Sequence, residues 1–124
     1  MCAMSRLLWT PLEQEKELES LLDRSNEQLC LIFKHSTRCP LSAMAKQRLE
    51  RDWTFAERQL KPWYVDVLAH RAMSDRLAEH FGVHHESPQV LLIAKGRCFF
   101  DCSHLDISVT LLAEEIRREL EERA

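Results

Sequence analysis

No stretch of the 124 residues approaches the roughly 20 consecutive apolar positions that a membrane-spanning helix needs. Nor is there an excess of basic charge. A formal net charge of -3 leaves no positive field to draw a phosphate backbone, which argues against nucleic acid as a ligand. The low apolar content and large charge imbalance of disordered chains are absent too, since 45% of the residues are apolar. Internal repeats, low-complexity tracts and linkers are missing, so residues 1–124 read as a single domain, large enough to build a core without disulfide staples. Met1 to Arg6 has neither the basic segment nor the apolar stretch of a secretory signal. Together these absences point to a cytosolic location with no membrane partner.

Cysteine is present but unpaired in pattern. The five residues (Cys2, Cys30, Cys39, Cys98 and Cys102) are odd in number and contain no C-x-x-C. That excludes a two-pair zinc ribbon and argues against a disulfide framework, which a reducing compartment would disfavour in any case. Cys30 falls in an apolar run and reads as core. Nothing positions Cys2. Cys98 and Cys102 are expected on one face of a strand, roughly 13 Å apart at 3.3 Å per residue, too far to join.

The elements alternate in type. Thr10-Pro11-Leu12-Glu13 is a helix start, with Thr10 as N-cap, Pro11 at N1 and Glu13 completing a capping box. The helix would run to about Asp23. Leu29 to Phe33 is a continuous apolar run, the pattern of a strand buried on both faces. Lys34 to Cys39 turns polar and irregular. After Pro40, Leu41, Met44, Ala45, Arg48 and Leu49 recur at helical spacing. Pro62 to Leu68 is strand-like. Arg71 to Phe81 is helical, with Gly82 placed as its left-handed stop. Gln89 to Ala94 and Cys98 to Cys102 form a hairpin about Lys95-Gly96. Val109 to Leu120 closes the chain as an amphipathic helix. Its charged tail, Glu114 to Arg123, reads as a solvated face that frays. The order αβαβαββα predicts an α/β fold, a small mixed sheet of about four strands flanked by helices.

Function in open α/β sheets collects at the carboxyl ends of strands. Cys39 lies there, directly before Pro40, and is the predicted N-cap of the next helix. The backbone N–H groups of Leu41 and Ser42, the helix dipole and the nearby Arg38 and Lys34 charges all favour a thiolate, the form that attacks. A buried, inert cysteine would sit poorly among Ser36, Thr37 and Arg38.

The segments Phe33-Lys34-His35-Ser36-Thr37-Arg38-Cys39-Pro40-Leu41-Ser42 and Glu86-Ser87-Pro88-Gln89-Val90-Leu91-Leu92-Ile93 resemble the YtxJ-like monothiol bacilliredoxins, a branch of the thioredoxin fold. Ser103-His104-Leu105-Asp106-Ile107 fits the same family, and the resemblance extends from Trp9 to the last helix. It implies that Cys39 is the attacking thiol, and that Ser42 stands where a two-thiol protein has its resolving cysteine. It implies that Pro88 is the cis-proline facing the site, with Ser87 offering its backbone to an extended substrate. The implied activity is thiol–disulfide exchange that removes bacillithiol, or a similar low-molecular-weight thiol, from mixed disulfides on cytosolic proteins. No bound cofactor is implied; the small thiol is a co-substrate.

Two other readings stay open on the sequence: a non-catalytic scaffold with this fold, and a reductant or sensor of small-molecule disulfides. Cys102, His104 and His84-His85 match no standard zinc spacing, so no metal is expected. His35 is expected to project from the strand end without catalytic duty. Trp9, Trp53 and Trp63 are expected to pack in the core or at its rim.

Overall fold

A computed structural model describes residues 7–123. Its elements are β1 (Thr10–Pro11), α1 (Glu15–Arg24), β2 (Leu29–His35), α2 (Pro40–Asp52), β3 (Leu60–Asp66), α3 (Arg71–Phe81), β4 (Gln89–Ala94), β5 (Arg97–Ser103), a 3-10 turn at His104–Asp106, and α4 (Val109–Arg123). The sheet has five strands in the order β1-β3-β2-β4-β5. β3 runs parallel to β2, while β4 and β5 are antiparallel to their neighbours.

The period-2 alternation of the central strands divides the core between two faces. Leu31, Phe33, Val90 and Leu92 pack with Ala45 and Leu49 of α2 and with Leu112 and Ile116 of α4. Cys30, Ile32, Leu91 and Ile93 pack on the other side with Leu18 and Leu21 of α1 and with Met73 and Leu77 of α3. Burying each such leucine or isoleucine contributes about 1.5–3 kcal/mol, so both helix pairs are held firmly.

Three expectations are corrected here. First, Thr10 and Pro11 do not start a helix. They form a two-residue edge strand parallel to β3, with Thr10 opposite Trp63 and Pro11 opposite Tyr64. An edge strand tolerates a proline because its outer side needs no N–H. The Leu12 N–H then bonds to Tyr64 O at 2.8 Å, and the Leu12 side chain is fully buried. Helix α1 begins four residues later than expected, behind Gln14 rather than Thr10, and the Gln14 N–H bonds to Glu17 Oε1 at 2.7 Å. This pairing adds the fifth strand.

Second, β2 continues through Lys34 and His35, both buried, where a polar loop was expected. Each finds a polar partner, which is what lets a polar side chain lie inside.

Third, Cys98 and Cys102 face opposite sides of the sheet. Cys98 is paired with Ile93, but Phe100 is paired with Leu92, so Phe99 is an extra residue. Such a bulge reverses the alternation. Cys98 therefore packs against the α1/α3 face and Cys102 within the α2/α4 face.

The remaining punctuation follows the residues. Gly82 adopts φ 65° and ends α3, while Lys95 and Gly96 both take positive φ in the hairpin turn, as a tight right-twisted connection requires. Helix α4 continues to Arg123, its exposed end laced by ion pairs such as Arg117–Glu121 at 2.8 Å. Among the described residues, no helix is long and apolar enough to cross a membrane.

Candidate active site

β2 delivers the chain to a short turn in which the Cys39 N–H bonds to Ser36 O at 3.1 Å. Pro40 then opens α2, and the Ala43 N–H bonds to Cys39 O at 3.0 Å as the first helical bond. Cys39 is thus the N-cap residue, in extended conformation and half-exposed, with exposed Thr37 and Arg38 beside it. The predicted bonds from the Leu41 and Ser42 N–H groups to the Cys39 sulfur are not formed; no side-chain cap bond is made at this helix. A neutral thiol is a weak acceptor, so the cap is the backbone alone, and the helix field and the free N–H groups remain for a thiolate or an incoming sulfur.

Ser42 is fully buried, and its hydroxyl is already committed. It accepts from the Ser36 N–H at 3.0 Å and lies 2.7 Å from His35 Nδ1. The first turn of α2 is thereby tied to the end of β2, which fixes the loop that carries Cys39. His35 does not project outward. Its ring stacks on Phe33 at 5.6 Å and lies 5.9 Å from Tyr64. Burial, with help from Lys46, lowers its pKa, so the imidazole is neutral at physiological pH. The signal for this contact was the alternation itself: Leu31, Phe33 and His35 share one face.

At the neighbouring strand, Lys34 is opposite Gln89, so His35 is level with Pro88. The start of β4 therefore lies at the same end of the sheet as Cys39. The Ser87–Pro88 peptide bond is cis. Pro88 O accepts from the His104 N–H at 3.1 Å, and the Ser87 hydroxyl is buried with no hydrogen-bond partner.

The segment before Pro88 is held by two buried polar residues: Gln89, which sequence reasoning did not single out, and Lys34, whose charge was expected to favour the Cys39 thiolate but whose ammonium is buried against His85 instead. Gln89 bonds to His84 O at 2.9 Å and receives the Glu86 N–H at 3.3 Å. Lys34 Nζ is 3.1 Å from His85 Nδ1, which also lies 3.2 Å from Ser74 Oγ. Burial pushes the Lys34 ammonium down to about 8 from an ordinary 10.5, with Asp75 opposing from a distance. A lysine whose pKa is lowered in the native state binds fewer protons there than when unfolded, so stability rises with pH through that window. The expected result is that the stability of wild type relative to Lys34→Met increases by about 3 kcal/mol between pH 7 and 10.5. Urea unfolding of both proteins across this range measures it, and a flat difference would refute it. Taking the difference cancels Tyr64 and the buried thiols, whose raised pKa values act in the opposite direction.

The other described thiols are withdrawn from chemistry. Desolvation pushes Cys30 and Cys98 up to about 11 and Cys102 up to about 12. Cys2 lies outside the described residues. With iodoacetamide at pH 7, Cys39 should therefore be labelled first and Cys30, Cys98 and Cys102 at least about tenfold more slowly, since only a thiolate with access reacts. Peptide mapping of a time course checks the order.

The metal candidates are not brought together. His84 and His104 each approach Glu86 at 3.7 Å, but His85 turns to Lys34 and Ser74. Among the described residues, no three His, Cys, Asp or Glu side chains form a group able to hold a metal. The tryptophans pack: Trp9 stacks on Phe33 at 5.5 Å and bonds to Glu50 at 2.8 Å, while Trp53 and Trp63 are buried. A cavity of about 600 Å³ lies at the far end of the sheet, near Leu29 and Lys95, about 20 Å along β2 from the Cys39 turn.

A half-exposed cysteine at the N-cap position of the helix after a central strand, beside a cis-proline strand and with a serine one turn on, is the arrangement of a thioredoxin-fold thiol protein with one site cysteine. The fold is similar to that of a solved structure described as a candidate oxidoreductase with a thioredoxin fold. The two are 30% identical over 85% of this chain and 90% of that one, with a TM-score of 0.73. Thioredoxins of Trypanosoma brucei brucei (TM-score 0.72, 10% identity, 98% of this chain and 99% of that one) and Malassezia sympodialis (0.70, 14%, 95% and 96%) share the fold alone. The chain belongs to the family "Monothiol bacilliredoxin BrxC", whose profile matches residues 10–112. Membership and fold together place it among thiol–disulfide redox proteins.

Proposed function

We propose that this protein removes bacillithiol, or a similar low-molecular-weight thiol, from mixed disulfides on cytosolic proteins. The observation that carries the reading is a half-exposed thiol at a helix N-terminus whose i+3 neighbour, Ser42, is a buried hydroxyl. The Cys39 thiolate attacks the small-thiol sulfur of the mixed disulfide. A new S–S bond forms to Cys39, the old one breaks, and the target protein leaves as a thiolate that takes a proton from solvent. Ser42 cannot resolve the adduct. A second molecule of the small thiol, as thiolate, then attacks it, releasing Cys39 and a small-molecule disulfide that a separate reductase must clear.

In this reading the helix field, the free N–H groups of Leu41 and Ser42 and the exposed Arg38 stabilise the thiolate, and Pro40 fixes the helix start beside it. Ser87 and Pro88 offer backbone to an extended segment of the target. The small thiol is co-substrate, and no bound cofactor takes part. Intact-mass analysis after mixing with an S-thiolated protein tests the reading. A single small-thiol adduct mapped to Cys39 supports it, and an adduct elsewhere refutes it.

A further inference from the structure

Lys34 has no role in the exchange chemistry, yet its place is costly. It is fully buried on the α1/α3 side of β2, where an apolar residue would continue the row of Cys30 and Ile32. An unpaired buried ammonium is far more expensive than a buried methylene chain. Among the described residues, no carboxylate lies within ion-pairing distance of it, and its polar contact is His85 Nδ1. The surrounding charges are Asp75 and Arg71 on α3 and Glu86 on the following segment.

The chemistry of that contact is one-directional. An ammonium has three donors and no acceptor, so Nδ1 must accept and the His85 proton sits on Nε2. Burial, Lys34 and Arg71 all lower the His85 pKa, which keeps the ring neutral and the contact intact. Lys34 and Gln89 are opposite each other in the β2–β4 ladder. One takes hold of the segment through the His85 ring, the other through His84 O and the Glu86 N–H. This cross-strand pair, on one face of the sheet, thus clasps residues 84–86 immediately before Ser87 and Pro88.

We infer that Lys34 is a positioning residue for exchange at Cys39: through His85 it holds residues 84–87 in the shape that receives a polypeptide disulfide. The inference rests on the exchange reading above. It assigns the segment's rigidity to one buried charge on the strand that also delivers Cys39, so the thiol and the docking backbone share a support. A preorganised segment loses less freedom when substrate binds.

The test compares wild type with Lys34→Met, which keeps length and volume but not the donor. Three measurements are made: steady-state transfer from a protein carrying a bacillithiol mixed disulfide, iodoacetamide labelling of Cys39, and amide hydrogen exchange over residues 84–87. The variant should show a KM for the protein disulfide raised about tenfold with kcat near wild type, and amide exchange about tenfold faster, the loss expected for one charge-assisted hydrogen bond. Its Cys39 labelling rate should be unchanged. Should Lys34→Met not fold, the pair His85→Gln and His85→Leu replaces it: the amide oxygen of Gln still accepts from Lys34 and should preserve KM, while Leu should raise it. Unchanged amide exchange and KM overturn the inference. So does a parallel fall in labelling and transfer, which would place the action of Lys34 on the thiol. If wild type itself transfers no small thiol from the protein disulfide, the exchange reading is what fails.

Discussion

Mixed with an S-bacillithiolated protein in the absence of free thiol, wild-type protein should accumulate as a one-to-one mixed disulfide at Cys39. Cys39 has the position to attack: it is half-exposed at the start of α2, with free helix N–H groups adjoining. Nothing described in the fold can carry the reaction further. Ser42 has no thiol, and Cys30, Cys98 and Cys102 are packed into the two faces of the sheet with their pKa values raised by burial. The bacillithiol sulfur is favoured over the target protein's sulfur because it is the less crowded of the two. Adding free bacillithiol should regenerate the thiol and produce bacillithiol disulfide.

Cys39→Ser should reduce transfer to the uncatalysed background. Cys98→Ser and Cys102→Ser should leave it largely intact: Cys98 is paired at the far end of the sheet, opposite Ile93, and Cys102 is buried with its thiol pushed up to about 12. The readout is the intact mass of each protein after mixing, with peptide mapping of the adduct. An adduct settling on Cys98 or Cys102, or an internal disulfide in wild type, would require a resolving cysteine and end the one-thiol mechanism.

Ser42→Cys should convert the protein from a one-thiol to a two-thiol exchanger. Residues 39 and 42 are one helical turn apart and share a face, so the introduced sulfur lies within reach of an adduct on Cys39. His35 Nδ1 lies 2.7 Å from the Ser42 oxygen, and the neutral ring can take the proton of the new thiol there in the tautomer that carries its hydrogen on Nε2. The adduct should then be short-lived, with the small thiol released and a disulfide joining Cys39 to the introduced residue. The variant loses a good acceptor for the Ser36 N–H, at a cost of about 1 kcal/mol, small enough for the fold to survive. Peptide mapping of the oxidised variant decides the matter. A persistent adduct with no internal disulfide would mean that the turn holds residue 42 away from the reacting sulfur.

Most of what positions Cys39 was legible in the residues. The apolar run Leu29–Phe33 demanded a doubly buried strand, and Pro40 demanded a helix start just after it. Those two local requirements place a cysteine at the strand–helix junction before any tertiary contact is considered. Gly82, Lys95 and Gly96 were legible for a similar reason: their backbone conformations are dictated by the turn itself, within a few residues.

The tertiary structure decided what depends on distant partners. Thr10-Pro11 satisfies a helix start locally, but Trp63 and Tyr64, more than fifty residues away, offer a parallel partner that buries Leu12, and burial outweighs a cap. The alternation that would align Cys98 with Cys102 is broken by one extra residue at Phe99, a register choice made jointly with Leu92 and Ile93. The same holds for the polar end of β2. Nothing local marks Lys34 and His35 as buried, because polar side chains enter a core only where partners await them. His85 and Ser42 come from a loop and a helix that the fold alone brings to that strand. Short-range sterics, written into neighbouring residues, determined the reactive junction, and long-range pairing determined what surrounds it.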